Sequence, residues 1–306
     1  ASLDGGALGV ERKLYCRELI ARFSHLLALN WNLGEENTQS PEEQRAMADY
    51  IYQTDSYHHH IVVHTYPDWQ DRVYSKLIGE QSVLTGCSLQ NGYDVAHLRV
   101  LKWVKESARV GKQWVVACDE QNPAEYGVPP DSGYKGSDGI GKSGNKNYSI
   151  DDIRKYTLWG TLMAGGTGIE YYFGYRFPDN DLNCDNWRSR DKSWDYCRIA
   201  LEFFSTIPFW EMENGDGLIG NLKNDNTRYC FYKKGELYLV YLPNGGNSEI
   251  DLSKENGKFD IFWFNPRSGK TYRTTKQLIA GNKVNIGEPP SDSSFDWLVV
   301  IKKTTM

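Results

Sequence analysis

Along the first part of the chain, apolar residues recur in two alternating forms, amphipathic stretches and short unbroken runs. Residues 11–25 are amphipathic, with Leu14, Glu18, Leu19 and Phe23 marking two faces. A strand is predicted at 26–32, then a helix opened by Ser40-Pro41-Glu42-Glu43, with serine as N-cap and proline in the first turn. Strands at 61–66, 84–89 and 114–118 alternate with helices at 68–77 and 95–110, the second ended by Gly111. A loop rich in glycine, proline and serine fills 122–148. Ser149-Ile150-Asp151-Asp152 caps a helix running to about residue 164, and a strand at 168–173 and a helix at 192–204 follow. Strands separated by helices imply βα units and parallel pairing. From about residue 220 the pattern changes to "RYCFYKKGELYLVYLP", "FDIFWFNPRSGKTYR" and "FDWLVVIKK", joined by glycine-rich turns. That texture predicts a small antiparallel β-sandwich, so the chain divides into 1–219 and 220–306.

The chemistry gathers where the predicted strands end. "LALNWNLGEEN" runs from an apolar strand into two adjacent acids, Glu35 and Glu36. Side chains alternate along a strand, so Asn30, Asn32, Gly34 and Glu36 share one face, which favours Glu36 over Glu35. In "WVVACDEQNP" the same logic places Glu120 at the equivalent height, with Asp119 facing away. Two carboxylates on different strand ends are what glycoside cleavage needs, one protonated as acid and one ionised as nucleophile or base. His64 and Tyr66 share a face at the end of their strand, as do Ser88 and Gln90, and Glu170 and Tyr172. Hydroxyl-reading groups beside aromatic platforms describe a sugar site.

Composition narrows the classes further. A net charge of -5 over 306 residues gives no basic footprint for nucleic acid. No apolar run approaches the roughly 18 residues of a spanning helix. The 10 tryptophans and 20 tyrosines supply flat faces that suit stacking on sugar rings, besides filling the core. The six cysteines lie in no metal-ligand spacing and are read as free thiols, with Cys184 and Cys197 the pair a polar loop could bring together. His58-His59-His60 precedes a strand, where neighbouring side chains diverge, and is assigned to surface and packing. Asp179, Asp181 and Asp185 gather oxygen ligands of the sort calcium takes, but without EF-hand spacing, and are read as a solvated turn. No cofactor is required by the chemistry. The opening ASLDGG has no signal-peptide pattern, which leaves the compartment open; an extracellular or periplasmic site is expected.

The motifs "ALNWNLGEEN", "VVHTYP", "WVVACDEQNPA", "GTGIEYYFGY" and "FWFNPRSGK" together resemble the glycoside-hydrolase-like (β/α)8 barrel proteins of the apiosidase-related group, which carry a C-terminal domain described as collagen-binding. The resemblance covers almost the whole chain. It implies a retaining glycosidase with Glu36, after barrel strand four, as acid/base and Glu120, after strand seven, as nucleophile. Asn32, His64, Tyr66, Gln90, Glu170 and Tyr172 would line the sugar site, and the substrate would be a complex polysaccharide or oligosaccharide. The commonest pattern of the clan sets asparagine directly before the acid; here Leu33, Gly34 and Glu35 intervene after Asn32. By the same resemblance the chain supplies strands four to eight of the barrel. Five strands cannot close it, so an N-terminal fragment or a second chain is expected to complete it. Two readings from other classes stay open: a non-catalytic glycan-binding or scaffold protein on an enzyme-like fold, and matrix adhesion through the C-terminal domain.

Overall fold

A computed structural model describes residues 3–304 apart from residue 184. Contacts divide the chain into two interleaved units, Ala1–Gln90 with Lys102–Glu120, and Asn91–Leu101 with Gln121–Met306.

The first unit is built on helices α1 (Val10–Phe23), α2 (Pro41–Thr54) and α3 (Gln70–Tyr74), most of α4 (Ala96–Arg109), and strands β1 (Asn30–Asn32), β2 (His60–Thr65), β3 (Gly86–Asn91) and β4 (Val115–Gln121). The strands neighbour one another in chain order, and β1, β2 and β3 pair in parallel. α2 starts where its sequence says it should. The Ser40 hydroxyl accepts from the N–H of Glu43, whose carboxylate accepts from the N–H of Ser40. Strand β1 is shorter than expected, because Leu26 and Leu27 follow the end of α1 as exposed residues. Trp31 is buried and donates to Asp55 at 2.9 Å, while Asn30 and Asn32 are exposed, so the alternation expected of this strand holds. Behind the sheet, Tyr74 meets Trp103 and Trp114 edge-on at 5.0 and 6.0 Å and donates to the carbonyl of Ser88. β3 opens with glycine for lack of room: a Cβ at Gly86 would lie 2.2 Å from the carbonyl oxygen of Val115.

The second unit contains a hairpin, β5 (Ile140–Ser143) and β6 (Lys146–Ser149), within the segment expected to be loop. A helix in three pieces follows: α5 (Ile150–Asp152), a π-helical stretch (Ile153–Leu158) and α6 (Trp159–Met163). After β7 (Gly168–Ile169) and α7 (Asp191–Phe204) comes an antiparallel sheet in the order β13-β12-β15-β10-β9-β8, from β8 (Glu213–Asn214), β9 (Tyr229–Lys233), β10 (Leu237–Leu242), β12 (Lys258–Phe264), β13 (Thr271–Ile279) and β15 (Trp297–Lys303). The short pair β11 (Glu249–Asp251) and β14 (Lys283–Asn285) forms a separate ladder. Alternation along β10 sends Tyr238, Val240 and Leu242 into one apolar cluster with Ile250 and Ile286. Leu237, Leu239 and Tyr241 enter another with Trp159, Ile199 and Phe204. A buried hydrogen bond and a buried ion pair fasten this unit. His97 bonds Asp216 at 2.7 Å, and Arg154 grips Asp296 with two nitrogens at 2.8 and 3.0 Å.

Candidate active site

The acid loop after β1 is laced to β2. Asn37 donates its backbone N–H to the carbonyl of His64, its side-chain amide to Leu33, and accepts from Gln44. Thr65 bonds the Asn37 carbonyl, and Asn32 accepts from the N–H of Gly34. Within that frame Glu36 sits at φ 44, a conformation a non-glycine residue rarely adopts. Such strain persists where surrounding bonds over-determine it, often at functional sites.

Glu36, the second acid of the pair, lies beside Tyr66 and Gln90. Tyr66 donates its phenol to Glu36, a bond that pushes the tyrosine's pKa up. From β3, the Gln90 side-chain amide donates to Glu120 at 2.7 Å and to Glu36 at 3.4 Å. One NH2 group therefore serves both carboxylates, and the two oxygens can be no farther apart than those distances combined, about 6 Å. Gln90 is steadied in turn by Gln70, which donates to its backbone carbonyl at 2.8 Å. On the other side of Glu120 stands His64, buried, with Nε2 at 3.4 Å from the carboxylate. Glu36, Glu120, His64, Tyr66 and Gln90 thus converge, with Asn32 fixing the turn into the acid loop.

Two residues of the arrangement escape a reading from alternation alone. Asp119 does not face away: Ser88 donates to its carboxylate, and His64 lies within electrostatic reach. Burial holds the Asp119 carboxyl above its ordinary range, against the lowering pull of both neighbours. Alternation does not separate the two acids here, because Glu120 accepts from Gln90 while Asp119 accepts from Ser88, both on β3. Asn37 was also missed; an asparagine directly after the acid pair was its only signal.

Beside the acid loop lies a cleft of about 730 Å³ between α1, β1 and residues 33–39, lined by Tyr15, Leu19, Trp31, Asn32, Glu35 and Glu36 among others.

Solved structures of similar fold are described as glycoside hydrolases. One, described as a glycoside hydrolase, matches at a TM-score of 0.69 and 16% identity, over 97% of this chain and 69% of its own. A glycoside hydrolase family 5 protein from Bacteroides vulgatus matches at 0.70 and 17%, over 96% and 66%. The chain has a glycoside-hydrolase fold. Residues 215–302 match the family model described as "Putative collagen-binding domain of a collagenase". No curated protein sequence matches the chain.

Within that fold the other expected residues take these places. Glu170 and Tyr172 belong to the second unit, where the Gln121 side chain bonds the Glu170 carbonyl and the Tyr172 hydroxyl donates to Ala124 at 3.0 Å. The three consecutive histidines diverge: His58 stacks on Tyr52, His59 pairs with Asp55, and His60 bonds Thr85. Asp179, expected in a solvated turn, is instead buried and clamped by Tyr134 and Lys135 at 2.9 and 2.8 Å. Among the described residues no three His, Cys, Asp or Glu side chains are grouped to hold a metal. Cys184 lies outside the described residues, and Cys197 is a free thiol.

Proposed function

We propose that this protein is a retaining glycoside hydrolase acting on a complex polysaccharide or oligosaccharide, with Glu36 as acid/base and Glu120 as nucleophile. The observation that carries the reading is the shared Gln90 amide. Acceptors at 2.7 and 3.4 Å from one nitrogen stand no more than about 6 Å apart. Retaining glycosidases hold their carboxyls about 5–5.5 Å apart, and inverting ones leave about 6.5–9.5 Å for a water. In the first step Glu36 protonates the leaving oxygen as Glu120 attacks the anomeric carbon; in the second Glu36 takes a proton from the water that releases the sugar. Asn32, His64, Tyr66 and Gln90 line the sugar site. Residues 1–219 form the glycosidase part and 220–306 an appended β-sandwich, in a protein that works outside the cytoplasm, extracellular or periplasmic.

The test is a panel of plant and algal polysaccharides with reducing-sugar release as readout. Glu36→Gln and Glu120→Gln should each nearly abolish hydrolysis while leaving the fold intact. Full activity in either variant removes that residue from the mechanism, and NMR of the first-formed anomer reads retention directly.

A barrel partner belongs to the same proposal. β1 ends its sheet, and among the described residues no strand pairs with its outer edge, which borders the cleft under α1. Unpaired edges invite a further strand, and an N-terminal segment or second chain supplies it. Mass spectrometry of the purified protein should find that segment; a soluble monomer whose β1 amides exchange freely with water would exclude it.

A further inference from the structure

Behind Glu120 a line of buried polar groups runs away from the sugar site. His64 and Ser88, paired in register across β2 and β3, are 2% and 1% exposed. Nδ1 of His64 lies 3.0 Å from Ser88 Oγ, and Ser88 in turn bonds Asp119. At the other end, His64 Nε2 stands 3.4 Å from Glu120 Oε2 yet makes no hydrogen bond among the described residues. A buried nitrogen without a bond, aimed at the carboxylate assigned as nucleophile, is costly unless another state of the site uses it. The other titratable groups near Asp119, Cys87 and Tyr74, are pushed up by burial and stay neutral.

We propose that Asp119, Ser88 and His64 form a proton wire ending on Glu120, in which Asp119 and Ser88 are positioning residues that keep an N–H of His64 directed at the nucleophile. The inference rests on the assignment of Glu120 above. Proton count is conserved along the wire. With Asp119 protonated, it donates to Ser88, Ser88 donates to Nδ1, and neutral His64 offers Nε2–H to the Glu120 carboxylate. Shifting two protons one place each leaves Asp119 ionised and His64 cationic, with Nε2–H still on Glu120. The cationic form suits the free, charged nucleophile. When Glu120 bonds to the anomeric carbon and the leaving oxygen departs with the proton of Glu36, the charge on Glu120 disappears. His64 then returns its Nδ1 proton through Ser88 to Asp119, so no buried cation is left unpaired. The raised pKa of Asp119, caused first by burial, suits a carboxyl that takes up that proton.

The direct readout is the ring 15N signals of His64 in the full-length protein with labelled histidine, followed against pH. Asp119→Asn removes the buried charge, so His64 should take its second proton about one pH unit lower than in the wild type. Ser88→Ala should break the line and give a similar displacement, and Ser88→Thr, which keeps the hydroxyl, should restore it. The acid limb of kcat/KM should move with the NMR midpoint in each variant. Should Asp119→Asn not fold, the Ser88 pair carries the test. Identical His64 titrations in wild type and Ser88→Ala overturn the wire, whatever the activity. A displaced titration in a protein that hydrolyses no glycan leaves the wire standing and overturns the hydrolase reading instead.

Discussion

Asp296 should be the most sensitive single carboxylate in the second unit. Its two oxygens take Nε and Nη2 of Arg154 at 3.0 and 2.8 Å and the hydroxyl of Tyr241 at 2.8 Å. The Arg154 and Asp296 side chains are 1% and 0% exposed. Burial alone would lower the pKa of the guanidinium, and the Asp296 carboxylate more than reverses that. Breaking a buried pair by removing one partner costs about 3–5 kcal/mol, since the other charge stays buried. Arg154 keeps Asp151, a largely exposed carboxylate, so Asp296→Ala should fall at the lower end, about 3 kcal/mol. For a body of this size, with about 2–4 °C per kcal/mol, the melting temperature should drop by about 10 °C. Removing both charges is a different perturbation. Arg154→Met with Asp296→Leu leaves neither member of the pair behind; it loses the acceptor of Tyr241, about 1 kcal/mol, and the looser 4.0 Å contact of Asp296 with the partly exposed Arg267. Urea and thermal melts of the three proteins, followed by circular dichroism, decide the matter. A double variant as unstable as Asp296→Ala would refute the reasoning, because the penalty would then not come from a stranded charge.

Gln90→Leu keeps much of the volume but removes the amide shared by the two glutamates; kcat/KM on whichever glycan the panel identifies should fall about 100-fold, or about 2.7 kcal/mol, with little change in melting temperature. More than half the wild-type rate would detach Gln90 from the chemistry. Asp216 carries a pH prediction. Burial pushes its pKa up, but bonds from His97, the N–H of Cys230 and Asn224 outweigh this and hold it below the ordinary value. Its contribution to stability is complete above the unfolded-state value near 3.9 and is lost as pH falls below that, through the lower folded value. Asp216→Asn should therefore show a flatter loss of stability between about pH 4 and pH 2 than the wild type, and equal slopes in urea melts over that window would refute it.

What could be read from the sequence follows from which forces act locally. Ser40, Pro41 and Glu43 announce the start of α2 because a cap is satisfied within four residues. The apolar runs at β2, β3 and β4 were legible because a strand covered on both faces needs no alternation. The hairpin β5–β6 was hidden, since its turn, Gly144-Asn145, lies in a segment whose composition reads as loop throughout. The strand expected at 168–173 stops at Ile169 because later groups bond elsewhere: the Tyr172 carbonyl accepts from Val128, and Phe173 bridges to Gly127. At the candidate site, the five convergent residues were visible as strand-end polar groups. Asp119 was not, because its place depends on which of two adjacent acids keeps the register at the end of β4.

The buried contacts of Asp216 and Asp296 also bear on whether the C-terminal region can travel between proteins as a cassette. The stretch recognised by its family model, 215–302, contains Asp216 and Asp296, but their partners, His97 and Arg154, lie outside it. Cut at that boundary, the segment would carry two carboxylates built for burial without the side chains that bond them. It would also lose the Trp159 ring that stacks on Tyr241 at 5.2 Å. A lineage that shuffled this region would have to bring two helices from the preceding sequence along, or replace both acids with apolar residues. Relatives that carry the region on an unrelated neighbour should therefore show apolar or amide side chains at these two positions.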